Sequence, residues 1–298
     1  MVQERCCWDR VRHRDTGLAV LLLGLLLVSG CGDSGYAPVQ KAEALAVEGR
    51  WEEAAEAFRS LPAESEDWKP YGDWRAATIY RDLLVDPTRA EVAFTDCFRA
   101  HPQHDWGYSC RVQLGHLRRD RGDPRGAIDA YRGALQLRPR GGYSEVCLLE
   151  SGRAYLEMGE AEQARLEWQE LMEKFPTSPL EATVALDRAS SYDLEGLYRE
   201  ALKAYREVQA RYPGHSVVSR ASFGEGEALE QLGRLDEAQA LFEELRYTHP
   251  NPEAIEVKIA ALIRRTARRK QDQTEAWDRG VFPRTEEGSP PQQRRRDQ

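Results

Sequence analysis

Five prolines, Pro102, Pro139, Pro176, Pro213 and Pro250, follow one another at intervals of 37 residues. The glycines Gly122, Gly159, Gly196 and Gly233 keep the same interval. Between each glycine and the next proline the filling is also periodic. An alanine stands five residues on (Ala127, Ala164, Ala201, Ala238), then an aromatic four later (Tyr131, Trp168, Tyr205, Phe242), then a small or aliphatic residue three later (Ala134, Leu171, Val208, Leu245). Two less regular units come first: Gly49, Trp51, Ala54, Phe58 and Leu61, then Ala90, Phe94, Cys97 and Pro102. Apolar residues at i, i+4 and i+7 form one stripe on a helix. The glycine takes the positive φ that ends the preceding helix, and the proline stops the helix bearing the stripe. Seven residues before the turn glycine, Gly115, Gly152, Ala189 or Gly226 is small enough for two helices to approach closely. Each unit is therefore a helical hairpin that cannot bury its stripe alone. The expected fold is all-α, a solenoid of about six stacked hairpins.

The pattern resembles the tetratricopeptide (TPR) repeat, with a unit three residues longer than the usual 34. Six units cover Gln40 to Pro250. An amphipathic helix from Pro252 to about Arg269, with Ile255, Ile259, Leu262 and Ile263 inward, is expected to cap them, giving an array over 40–270. Junctions such as KFPTSPLEA look like those of bacterial envelope TPR proteins: outer-membrane assembly lipoproteins, Tol-Pal-associated proteins and type IV pilotins. In this frame Cys97 and Cys110 flank a turn near 101–105, at similar heights on adjacent antiparallel helices. They form either a disulfide or two small buried apolar contacts. Cys147, opposite Ala134, is expected to be a buried free thiol.

The amino terminus fixes the expected compartment. The apolar run from Gly17 to Val28 would cover about 18 Å as a helix, short of the roughly 30 Å hydrocarbon core. With Arg5, Arg10, Arg12 and Arg14 before it and small residues after it, residues 1–30 read as a secretory signal. A start at Val11 would give a more regular signal. Val28-Ser29-Gly30-Cys31 resembles the lipobox of bacterial lipoproteins, which implies cleavage before Cys31 and lipidation of its thiol. Two or three acyl chains, at about 0.8 kcal/mol per buried methylene, hold a protein durably on a bilayer. Gly32, rather than Asp, after the cysteine implies the periplasmic face of the outer membrane in preference to the inner. Residues 31–39 read as a linker. Residues 271–298, polar and without helical spacing, read as a disordered tail, in which Trp277 and Phe282 are read as solvated rather than as a docking motif.

The chain carries a net charge of −8, one unit more negative without residues 1–30. A nucleic-acid partner would require a concentrated basic face, and the sequence shows none. Motifs for nucleophilic catalysis, phosphate binding or a zinc site are lacking, so neither an enzyme, nor a cofactor, nor a small-molecule substrate is expected. His101 and His104 read as packing at a turn rather than as metal ligands. The resemblance places a protein or peptide segment in a groove lined by the first helix of each hairpin. The implied positions are Arg75, Ile79 and Asp82; Val112, His116 and Arg119; Leu149, Arg153 and Leu156; Leu186, Ser190 and Asp193; Phe223, Glu227 and Glu230. Asn251 is the only asparagine, which removes the Lys-Asn carboxylate clamp of chaperone-binding TPRs. The expectation is a lipid-anchored periplasmic scaffold for outer-membrane or envelope assembly (barrel insertion, secretin or pilus, or Tol-Pal). An adaptor tethering peptidoglycan-modifying enzymes is the alternative.

Overall fold

The computed structural model describes residues 37–66 and 68–279. The signal segment, Cys31, the proposed start at Val11 and the tail from residue 280, Phe282 included, lie outside them. All regular structure among the described residues is helical, thirteen α-helices and no strand, so the fold is an all-α solenoid of helical hairpins. None of these helices is long and apolar enough to cross a membrane.

The helices fall into two compact units divided between Ser144 and Glu145. The first holds the hairpins α1 (Ala37–Val47) with α2 (Trp51–Arg59), α3 (Trp68–Asp82) with α4 (Pro87–Ala100), and α5 (Asp105–Asp120) with α6 (Pro124–Leu137). The second holds α7 (Ser144–Glu157) with α8 (Ala161–Lys174), α9 (Glu181–Leu194) with α10 (Tyr198–Arg211), and α11 (Val217–Gln231) with α12 (Leu235–Leu245). A long α13 (Pro252–Asp278) closes it.

The periodic positions become the two cores. Ala54, Phe58, Ala90, Phe94 and Cys97 are fully buried in the first unit, and Ala201, Ala238 and Phe242 in the second. Each large side chain so buried contributes about 2–3 kcal/mol of apolar transfer free energy. The small residue before the turn has a measurable reason. A Cβ added to Gly152 would lie 2.2 Å from Nε1 of Trp168. The indole therefore sits directly on the α7 backbone, and its N–H donates to the Leu149 carbonyl at 3.1 Å.

Gly122, Gly159, Gly196 and Gly233 all adopt φ between 75° and 78° at the ends of first helices. The second hairpin has Val85 at the corresponding place, and its φ is 51°, the one non-glycine in the left-handed region among the described residues. The next residue compensates in part. Asp86 caps α4 by accepting from the Arg89 N–H at 2.9 Å, ahead of Pro87 in the first turn. Asp123 and Pro124 repeat this arrangement at α6.

Two expectations need correction at the carboxyl end. The closing helix does not stop near Arg269 but runs to Asp278, so residues 271–278 are helical rather than disordered. Ile255, Ile259 and Leu262 are buried as expected, whereas Ile263 is 50% exposed. It falls about 100° around the helix from Leu262, outside the buried stripe.

Candidate ligand-binding groove

The first helices of neighbouring hairpins lie side by side within each unit, α3 with α5 and α9 with α11. Their shared faces hold most of the residues that the repeat pattern assigns to ligand contact.

In the first unit, Ile79 and Val112 are fully buried and form core rather than groove. Arg75 is partly buried, its Nε 3.8 Å from Glu43. Tyr71 also donates to Glu43, and burial, reinforced by that carboxylate, raises its phenol well above the ordinary range. His116 is hydrogen-bonded through Nδ1 to the Tyr131 hydroxyl at 2.8 Å. Arg119 is partly buried and Asp82 is exposed, bonded to Arg81 at 2.6 Å. Sequence reasoning missed the aromatic shelf beside these groups, where Trp74 and Trp106 stack at 4.4 Å and Tyr71 meets Trp106 at 5.4 Å.

In the second unit, Leu149 and Leu186 are 4% and 1% exposed, so they too are core. Val112, Leu149 and Leu186 occupy one place in successive repeats. There the first helix turns its side chain against its neighbours instead of into the open face. Phe223 holds the same place in the last repeat and is only partly buried, edge-to-face with Phe242 and tilted against His249. Leu156 and Ser190 are partly buried, and Ser190 accepts from the Tyr205 hydroxyl at 3.3 Å.

The charges of this unit are paired internally. Arg153 donates to Asp187 at 2.7 Å and to Glu150 at 2.9 Å. Lys258 of α13 reaches Glu227 at 2.9 Å and Glu230 at 3.4 Å, and Arg265 reaches Glu230 at 3.2 Å. Glu227 and Glu230, two of the acidic groove positions, are thus neutralised by the closing helix. The signal was present in Lys258 and Arg265, seven residues apart and so on one helix face, but their partners lie some 30 residues away. Asp193 has no such cation in bonding contact. Its Oδ1 is buried without a hydrogen-bond partner among the described residues, and burial followed by Glu227 raises its carboxyl above the usual range.

The cysteines and histidines resolve separately. Cys97 and Cys110 form a disulfide between α4 and α5, with Cα atoms 6.1 Å apart. Cys147 is buried and free, and burial pushes its thiol up to about 12. His101 pairs with Asp73 at 2.9 Å, and His104 accepts from the Trp106 N–H to cap α5. No group of three or more potential metal ligands occurs among the described residues.

Two family models described as tetratricopeptide repeat match residues 149–216 and 194–259. Residues 149–259 are thus TPR repeats. Solved structures of similar fold include a TPR protein from Parabacteroides merdae, 14% identical over 84% of this chain and 94% of that one, with a TM-score of 0.58. PilW, described as a widely conserved type IV pilus biogenesis factor, is 15% identical over 76% and 97%, with a TM-score of 0.54. Pseudomonas aeruginosa PilF is 15% identical over 77% and 96%, with a TM-score of 0.51. Identities this low carry the TPR fold and nothing finer. No curated protein matches the chain significantly in sequence.

Proposed function

We propose that this TPR protein is a lipid-anchored periplasmic scaffold that binds a protein partner during outer-membrane or cell-envelope assembly. The observation that carries the reading is the pairing of a lipobox-like tetrad, Val28-Ser29-Gly30-Cys31, with stacked TPR hairpins that begin only a few residues later, at Ala37. TPR arrays act by holding proteins, and the side chains on the first-helix faces suit contact with a polypeptide. Those faces offer partly buried Leu156, His116 and Phe223 among fixed ion pairs, rather than a cavity for a small molecule. Fold likeness to PilW and PilF adds the pilus apparatus to the partners worth testing.

A label-transfer experiment tests it. A photo-crosslinking amino acid at His116 or Phe223 in the native, membrane-bound protein should capture one envelope protein reproducibly. Radiolabelled palmitate should be incorporated into the wild type and not into Cys31→Ser. Absence of label from the wild type removes the anchor. Absence of any groove cross-link removes the binding surface.

A further inference from the structure

α13 occupies the place of a seventh first helix. Lys258 Nζ lies 5.8 Å from the Phe223 ring, Arg265 reaches Glu230, and Arg269 donates to the Gly233 carbonyl. These pairs set α13 beside α11 with an offset of 35–36 residues. Ser222, Gly226 and Leu229 of α11 then correspond to Val257, Ala261 and Arg264 of α13. On α11 this stripe packs its own second helix, since a Cβ on Gly226 would lie 2.5 Å from the Phe242 ring. On α13 it is open. Val257 is 67% exposed, and Arg264 and Arg268 are exposed.

We infer that this open face takes an acidic amphipathic helix from a partner protein, which completes a seventh hairpin in trans. The repeats show the shape that fits: their second helices carry Ala-x3-aromatic-x2-aliphatic stripes. The acidity is set by the arginines of α13, and α12, with four carboxylates and no cation, is a second helix of that kind. Arg264 and Arg268 have no carboxylate partner among the described residues, in a chain whose net charge is −8. Arg118 sets the precedent: it stands at the place of Arg264 in the third repeat and donates to the Gly126 carbonyl at the start of its own second helix. Residues 280–298 do not carry the stripe of such a second helix. They contain no alanine and are interrupted by Pro283, Pro290 and Pro291. This inference concerns a surface other than the groove, although it shares the view that the protein works by binding proteins.

The test uses the full-length protein and a fluorescent, helix-stapled peptide with the sequence of Leu235–Leu245. Saturable binding is expected, weakened at least tenfold by Arg264→Glu with Arg268→Glu and recovered by a peptide whose four carboxylates are replaced with lysine. Both arginines are exposed, so an unchanged circular-dichroism melt is expected to accompany the loss. Binding that is absent, or equal in the double variant, overturns the proposal. So does binding of the wild type to phosphatidylglycerol vesicles with no peptide binding, which assigns the face to lipid. Dimerisation of the wild type abolished by the double variant overturns it as well, in favour of a second copy. A His116 variant tests the groove independently and is expected to leave peptide affinity unchanged.

Discussion

Lys258 Nζ stands 2.9 Å from Glu227 and 3.4 Å from Glu230, so the helix that closes the array also neutralises the acids of the last repeat. Burial alone would lower the lysine's affinity for its proton, but Glu227 and Glu230 outweigh it and the ammonium is held above its ordinary range. A cation raised in the folded state stabilises below its unfolded value, near 10.4, and loses that contribution as pH rises through the folded value. Lys258→Met leaves Glu230, 18% exposed, with Arg265 alone. The variant is expected to lose about 1–2 kcal/mol in urea unfolding at pH 7. Amide exchange should quicken first in α13, and the gap from wild type should narrow above pH 10.

Val85 holds a left-handed conformation at the place where the other repeats use glycine. For an L-residue that conformation costs about 1–2 kcal/mol, and a β-branched residue is among the least tolerant of it. Glycine removes the strain but costs about 0.5–1 kcal/mol of extra backbone entropy in the unfolded chain. Val85→Gly is therefore expected to stabilise by roughly 0.5–1 kcal/mol. Val85 is 75% exposed, so little packing is lost. An unchanged or lower melting temperature would contradict this.

Gly152 lies under Trp168 with no room for one more carbon. Gly152→Ala forces the indole off the α7 backbone and breaks its hydrogen bond to Leu149, a loss of about 3 kcal/mol. The fifth repeat carries Ala189 at the same place. It tolerates the methyl because the Tyr205 ring leans on Gly224 of the next repeat, where an added Cβ would be 2.4 Å away. Ala189→Gly is accordingly expected to change stability far less than Gly152→Ala, as measured by denaturant midpoints of the two variants.

The disulfide and the free thiol should behave oppositely. Closing a loop of 13 residues between Cys97 and Cys110 restricts the unfolded chain by about 3 kcal/mol. Cys97→Ala with Cys110→Ala is expected to lower stability by up to that amount, and reductant should lower it in the wild type alone. Cys147, its thiol pushed up to about 12 by burial, should react with iodoacetamide only on unfolding. Labelling of Cys147 in the native protein would show that α7 opens locally.

The fold was more legible in the sequence than the site, for a physical reason. Hairpins repeat because Ala127, Tyr131 and Ala134, with Gly122 before them, meet the same local packing four times over. A fixed spacing records that requirement directly. Whether a first-helix residue faces ligand or core depends on its neighbours' side chains. Leu186 turned inward, while Phe223, at the same place, stayed partly open, packed on Phe242 and His249 with Lys258 over its ring. Pairing partners are further still from local pattern: Arg153 meets Asp187 across 34 residues. The length of α13 escaped because its last two turns carry only Ala276 and Trp277 as apolar residues, adjacent in sequence and so forming no stripe to betray them.

Asp193 tests the electrostatics of the second unit from the acid side. Burial raises its carboxyl above the ordinary range, Glu227 raises it further and Lys258 opposes them. A carboxyl that holds its proton more tightly when folded penalises the native state above its folded value. That penalty is relieved as pH falls through the folded value toward about 3.9, where the unfolded chain also protonates. Asp193→Asn removes the charge and keeps the shape. It is expected to raise the melting temperature at pH 7 by a degree or two, of the order set by a few tenths of a kcal/mol in a domain of this size. The advantage should shrink as pH falls through the folded value, where wild-type Asp193 takes up its proton. A variant less stable than wild type at pH 7 would mean that Asp193 serves as a partner for Lys258 rather than as a strained neighbour of Glu227. Lys258→Met in the Asp193→Asn background separates the two, because coupling between the sites appears as a departure from additivity.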